Sequence, residues 1–373
     1  WNYNVQFEPV LGFGAKDVTV EYSVDGTEWA VLGDVEFARA AAAASYVANT
    51  TVDMAGVAAK YVRLVISDNW GVLPQIGLSE VRFLSIPAHA REPQPASGGT
   101  DVSVDSVLTW RAGRDAVSHE VYFGTNADEL PLAGSVAGAS FAPDALTFGT
   151  TYYWRIDAVG DEVWAGNLWS FSTQEYAWID GFETYTDNID AGEAIFDTWL
   201  DGWVNNTGST VGHLQTPFAE RSIVHSGSQS MPLHYDNASS PFYSEAERVF
   251  ASPQNWTRNG ADTLVIYLRG DATGDQQTAE IAATQPMDNS PEPMYVRIED
   301  STGMAATVVN ADATITLRPT WQEWKIPYAD LAGVNLSGVQ KIVIGVGNRT
   351  SPSAAGTGTV YIDDIGYGRP ARE

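Results

Sequence analysis

The chain has 373 residues, 44% of them hydrophobic and 11% aromatic, which is enough for two to four domains with proper cores. Its 47 acidic and 20 basic residues leave a formal charge of −27, which argues against nucleic acid and an anionic membrane surface, since both need clustered Lys and Arg. There is no cysteine, which excludes disulfides, thiolate metal sites and Cys nucleophiles, and no stretch approaches the roughly 20 apolar residues of a membrane span.

The opening residues Trp1-Asn2-Tyr3-Asn4-Val5 read as the inside of a strand, so the chain is expected to be a piece of a longer protein whose N-terminus lies upstream. Val18, Val20 and Tyr22 alternate with Thr19, Glu21 and Ser23, the period of a half-buried strand. Asp25-Gly26 then predicts a hairpin turn, because glycine tolerates positive φ, and a return strand carries Trp29 and Val31. Ala38–Ala44 favours helix but is too short to form one alone, so it reads as a loop. Further strands are expected at Tyr61–Ile66 and Val81–Leu84, closing a first segment over residues 1–87. Residues 88–99 (AHAREPQPASGG) have the Pro, Ala and Gly content of an exposed linker.

A second segment, 100–175, holds expected strands at Val107–Arg111, Glu120–Phe123, Thr151–Val159 and Leu168–Ser172. The third, 176–373, is the largest. Its strands are expected at Thr263–Arg269, Met294–Glu299, Trp321–Ile326, Lys341–Val346 and Thr359–Ile365.

Three resemblances follow from these segments. Glu21–Trp29 (EYSVDGTEW), Ala59–Leu64 (AKYVRL) and Gly77–Phe83 (GLSEVRF) resemble the C-terminal half of a discoidin domain, the coagulation-factor C-type sandwich. A complete domain of that family is about twice as long, so the resemblance implies missing strands. On that resemblance they are expected from an upstream part of the chain or from another chain through strand pairing or self-assembly. Leu108-Thr109-Trp110, Tyr122–Thr125, Thr151–Ala158 and Trp169–Thr173 resemble a fibronectin type III domain, which implies a spacer. Ile179–Glu183, Ser226–Met231, Trp321–Pro327 and Val360–Ile365 are similar to the jelly-roll carbohydrate-binding modules appended to polysaccharide-degrading enzymes. The expected fold class is therefore all-β, as tandem β-sandwiches: a partial discoidin-like unit, a fibronectin type III-like unit and a jelly roll.

The five histidines make no metal-ligand spacing, and no nucleophile elbow, phosphate loop or dinucleotide fingerprint is present. A glycosidase needs only two carboxylates, so residue type alone does not exclude one. No segment resembles a catalytic fold, however. The jelly-roll resemblance implies a structural Ca²⁺ where the first and last strands meet. Asp180 and Glu183 at the opening, with Asp363 and Asp364 at the close, supply the hard oxygens such an ion takes. Adjacent strand residues point to opposite faces, so only one of Asp363 and Asp364 is expected as a side-chain ligand.

A sugar ring offers an apolar face edged with hydroxyls, which suits a flat aromatic flanked by polar groups. Candidates are Trp199, Trp203 and Asn205 in FDTWLDGWVNN, Tyr235 and Asp236 in HYDNASSPFY, and Trp256. In the first segment Trp70 sits in a loop that sugar-binding discoidin relatives use. Each aromatic has an equally physical reading as core packing.

The expected function is a non-catalytic region of a secreted or cell-surface protein that binds polysaccharide or cell-surface glycan, with no nucleic acid and no membrane insertion. It would be ancillary to a polysaccharide-degrading enzyme. The alternatives are a structural adhesin, stalk or fibre subunit, and a fragment of a glycan-active enzyme.

Overall fold

The computed structural model describes residues 1–270 and 289–370. The fold is almost all β, with 41% of the described residues in strands and 7% helical. Among the described residues no helix is long and apolar enough to cross a membrane. The chain divides into two compact units: Trp1–Arg91 with Arg111–His119 and Ile156–Asn167, and Glu92–Trp110 with Glu120–Arg155 and Leu168 onward.

The first unit is built on one antiparallel sheet. Strand β1 (Asp17–Ser23) lies between β2 (Ala30–Glu36) and β3 (Tyr61–Ile66). Val18 and Val20 point to one side with Ala15 and Phe37, as the two-residue alternation requires. The turn between β1 and β2 is held by Asp25, whose Oδ1 accepts from Thr27 N and Glu28 N, and Gly26 sits at φ +82°. The short helix α1 (Glu8–Leu11) precedes β1 and buries Glu8, whose carboxylate accepts from Phe13 N and Gly14 N. The strand expected at Val81–Leu84 does not form. Those residues are exposed and lie in no strand, because a strand needs a partner edge and none of the described residues supplies one here.

In chain order there follow β4 (Arg91–Gln94), β5 (Gly99–Val102), β6 (Leu108–Arg111), β7 (Ser118–Gly124), β8 (Leu132–Val136), β9 (Ser140–Phe141), β10 (Thr151–Val159), β11 (Val163–Trp164) and β12 (Trp169–Thr173). They form two sheets, one in the order β5-β12-β10-β7-β8 and one in the order β4-β6-β9. Trp154 is fully buried between Trp110 at 6.4 Å and Trp169 at 4.8 Å, both edge-on.

The rest of the chain is a two-sheet sandwich. Its strands are β13 (Tyr176–Asp180), β14 (Ser209–Val211), β15 (Met231–Asp236), β16 (Tyr243–Gln254), β17 (Thr263–Arg269), β18 (Met294–Asp300), β19 (Ala305–Val309), β20 (Gln322–Pro327), β21 (Val339–Gly347) and β22 (Thr357–Gly368). One sheet runs β14-β15-β22-β17-β20, with β13 also on β22; the other runs β16-β21-β18-β19. Two short helices, α2 (Ile195–Thr198) and α3 (Gly202–Asn205), lie between β13 and β14. Leu264, Ile266 and Leu268 of one sheet and Ile342, Ile344, Val296 and Ile298 of the other are sealed in a single core cluster. Each such side chain contributes about 1.5–3 kcal/mol on leaving water.

Candidate functional site

The core claims three of the expected sugar-binding aromatics. Trp199 is fully buried; its indole N–H donates to Asp180 Oδ2 at 2.8 Å and its ring lies 6.0 Å from Phe182. Tyr235 is 2% exposed and its hydroxyl donates to Ser290 O. Trp256 is 1% exposed, between Phe250 and Tyr367. None of the three offers a face to a ligand, which corrects the expectation for each. Tyr235 points inward from β15, while Trp199, just past α2, and Trp256, in the loop after β16, fold into the same core cluster. Asp236 is exposed, but its Oδ1 accepts from Ala238 N and Ser239 N and so closes a turn. Trp70, in the first unit, is half-buried on the rim. Its indole N–H donates to Phe37 O, and Lys16 stands 5.6 Å over its ring.

Trp203 is the exception, at 84% exposed. It projects from α3, and its surroundings explain how so large an apolar group is held in water. Asp201 caps the helix: its Oδ1 accepts from Trp203 N at 3.0 Å and its Oδ2 from Val211 N at 2.9 Å. A Cβ at Gly202 would stand 2.2 Å from Thr207 O, so only glycine fits there. Asn205 does not face a ligand either. Its Nδ2 donates to Leu200 O and Glu245 O, and its Oδ1 accepts from Thr207, which pins the loop to β16. Ser209 adds a bond to Glu245 O at 2.6 Å, and Leu200 exchanges two main-chain bonds with Glu247. The platform is therefore anchored to the edge strand of the β16-β21-β18-β19 sheet.

The face of that sheet turned away from the core carries rows read directly from the strand register. One row is Glu245–Gly345–Tyr295–Val309, the next is Glu247–Val343–Arg297–Thr307, and Val249–Lys341–Glu299–Ala305 follows. In the first row the Tyr295 ring folds across Gly345 and its hydroxyl donates to Glu245 Oε1 at 2.6 Å. Arg349 Nη1 donates to both oxygens of Glu245, at 2.6 and 2.8 Å. Burial, then the Glu245 charge, raises the Tyr295 hydroxyl well above its ordinary range. For Arg349, burial works against the charged form, but the bonds and charge of Glu245 outweigh it and hold the guanidinium above its usual value. Lys341 pairs with Glu247 at 3.3 Å, and Arg297 with Glu299 at 3.6 Å. The result is a buried floor of Glu245, Tyr295 and Val343 beneath partly exposed charged groups. Sequence reasoning missed this face entirely, because its residues are spread over more than 100 positions.

The acids expected to hold calcium have a different arrangement. Strands β13 and β22 do pair, with Asp180 opposite Ile365. Asp180, however, accepts from Phe182 N, Tyr185 Oη, Trp199 Nε1 and Arg248 Nη1, so a guanidinium already neutralises it and it leaves the expected set. Glu183 accepts from Ser228 N, Ser228 Oγ and Gln229 N. Asp363 Oδ2 accepts from His225 N, and Asp364 Oδ2 lies 2.6 Å from His225 Nδ1. Asp363 and Asp364 thus turn to the same segment, not to opposite faces. A register shift opposite Val265–Tyr267 and a φ of +43° at Asp364 break the alternation. Burial, aided by the Asp364 charge, pushes the Asp363 carboxyl up to about 7 against its main-chain hydrogen bonds. Among the described residues no group of three or more His, Asp or Glu stands together as a ready metal-binding set.

No family model matches the chain, and no curated protein matches it. Among solved structures it is similar to an exo-β-agarase, with 14% identity and a TM-score of 0.35 over 54% of this chain. That match spans only 25% of the agarase's length. It is similar to a family 30 carbohydrate-binding module, with 15% identity and a TM-score of 0.30 over 44% of this chain and 83% of that one. It is also similar to the CBM22-1 xylan-binding domain from Paenibacillus barcinonensis Xyn10C, with 12% identity and a TM-score of 0.27 over 52% of this chain and 93% of that one.

Proposed function

We propose that this chain is a non-catalytic carbohydrate-binding region of a larger secreted or cell-surface protein, ancillary to a polysaccharide-degrading enzyme. In this reading, residues 1–87 and 100–175 are discoidin-like and fibronectin type III-like units and 176–373 is the binding module; residues 88–99, expected as an exposed linker, instead carry β4 of the β4-β6-β9 sheet and the first residue of β5. The observation that carries the reading is Trp203, an almost fully exposed indole on a short helix that Asp201 caps and Asn205 ties to β16, the edge strand of a sheet face lined with paired charged groups. An apolar plane beside hydrogen-bonding groups is what a sugar ring requires. Affinity electrophoresis against a polysaccharide panel tests it. The chain is expected to be retarded by at least one polymer, and Trp203→Ala to abolish the retardation. A folded chain that no polymer retards would sink the reading.

Calcium belongs to the proposal as a structural ion at the neighbouring carboxylates of Asp363 and Asp364, with Glu183 bonded to the same segment rather than gathered with them. Its support is that Asp363 and Asp364 are adjacent in the chain and both turn to His225, and that Glu183 bonds to Ser228 and Gln229 of the same segment. A bound ion would stabilise the fold by linkage. Melting in calcium and in chelator decides it, and equal melting temperatures would remove calcium from the reading.

A second reading, a structural subunit that self-assembles, is favoured by one observation. Val81, Phe83, Leu84 and Ile86 are all exposed in a segment that pairs with no strand. Sedimentation at rising concentration separates the two: a monomer throughout excludes self-assembly through this segment.

A further inference from the structure

We infer that the polymer bound on the β16-β21-β18-β19 face is uncharged. This rests on the glycan-binding reading above and adds the substrate class. The chain as a whole carries −27, yet the charged groups aligned on this face balance: Glu245, Glu247 and Glu299 against Arg349, Lys341 and Arg297. Each acid has its own base within 2.6–3.6 Å. The balance is not an accident of abundance, since acids outnumber bases 47 to 20 and Lys341 is one of only four lysines.

The consequence is electrostatic. Fields from the rest of the surface are screened beyond about 8–10 Å at ordinary salt, so a ligand on this face senses mainly these six groups. Their sum is zero. A polyanion therefore finds no net cation to pair with. It would have to take Arg349 from Glu245, leaving a buried carboxylate uncompensated, which is strongly unfavourable. At low salt the acidic surface beyond the face repels it as well. A neutral polymer meets none of these costs. Its hydroxyls accept from the exposed side of Arg349 and Lys341 and donate to Glu247 and Glu299, while the ion pairs stay intact. The floor supports this, because Gly345 and Val343 carry no charge and the hydroxyl of the buried Tyr295 is already committed to Glu245.

The test compares polymers of one backbone that differ in charge: hydroxyethylcellulose with carboxymethylcellulose, and unsubstituted xylan with glucuronoxylan. Binding is measured by calorimetry from about 0.01 M to about 1 M salt, which shortens the Debye length from about 30 to about 3 Å. The neutral member of a pair is expected to bind with an affinity that salt changes by less than about twofold. Its charged partner is expected to be at least about tenfold weaker at low salt. The double variant Glu247→Gln, Glu299→Gln, which leaves two cations uncompensated, is expected to gain affinity for the charged partner at low salt. A charged polymer that binds as tightly as its neutral partner, or neutral binding that fades with salt, overturns the inference and leaves glycan binding standing. If no member of either pair binds the folded chain while another polymer in the wider panel does, the charge of that polymer decides in the same way. If nothing binds at all, both proposals fall.

Discussion

Tyr295 lies across Gly345: a Cβ placed on the glycine would stand 2.1 Å from the phenol Cζ, and the hydroxyl beyond it reaches Glu245 at 2.6 Å. The glycine is what lets a side chain from β18 cross β21 and bond to β16. Gly345→Ala must displace the ring and break that bond, with an expected loss of about 1–3 kcal/mol in denaturant melts. Tyr295→Phe keeps the ring but leaves Glu245 with Arg349 alone. A charge-assisted bond of this kind is worth about 1.5–3 kcal/mol. If Gly345→Ala melts like the parent chain, the crossing is not tight.

Trp199 and Trp203 are four residues apart and should respond in opposite ways. Trp203→Ala is expected to leave stability within about 0.5 kcal/mol while removing glycan binding. Trp199→Ala opens the core and strips a donor from Asp180, so it should cost about 3–5 kcal/mol. Where Trp199→Ala remains folded at low temperature, its affinity should be close to that of the parent. Paired melting and binding measurements on both variants check this.

Asp180 and Arg248 form a largely buried ion pair at 2.6 Å. Arg248→Met leaves the carboxylate without its cation and should destabilise the sandwich by about 3–5 kcal/mol. Adding Asp180→Asn should recover much of that loss, because the uncompensated charge is gone. A double variant no better than Arg248→Met would show that packing, not charge, was lost.

Acid sensitivity has two named sources. Burial, then the charge of His213, pushes His234 from the usual 6.5 down to about 4. The unfolded chain therefore takes this proton first, and stability should fall as pH drops from about 6.5 to about 4. Glu220 is held near 2: burial alone would raise it, but the His213 bond and the N–H groups of Ser222 and Ile223 prevail. Its contribution is complete above 4.5 and is lost as pH falls toward 2. His234→Gln should flatten the upper part of the acid limb and leave the lower part in place, as seen in melting temperature against pH.

Local pattern was sufficient for much of the framework. Alternation placed a strand at Val18–Ser23, within β1, the apolar run Thr263–Arg269 coincides with β17, and Asp25-Gly26 marked the β1–β2 turn. These are properties of a few adjacent residues, so a linear chain already contains them. Tertiary structure decided the rest. Val81–Leu84 has strand composition but no partner edge among the described residues, and a strand exists only as a pair. Trp199 and Trp203 have the same chemistry in the same short stretch. Only the packing of α2 against the core and the capping of α3 by Asp201 separate a buried indole from an exposed one. The charge-balanced face joins Glu245, Tyr295, Lys341 and Arg349 through strand register, which is set by burying the opposite face of all four strands and cannot be read from spacing along the chain.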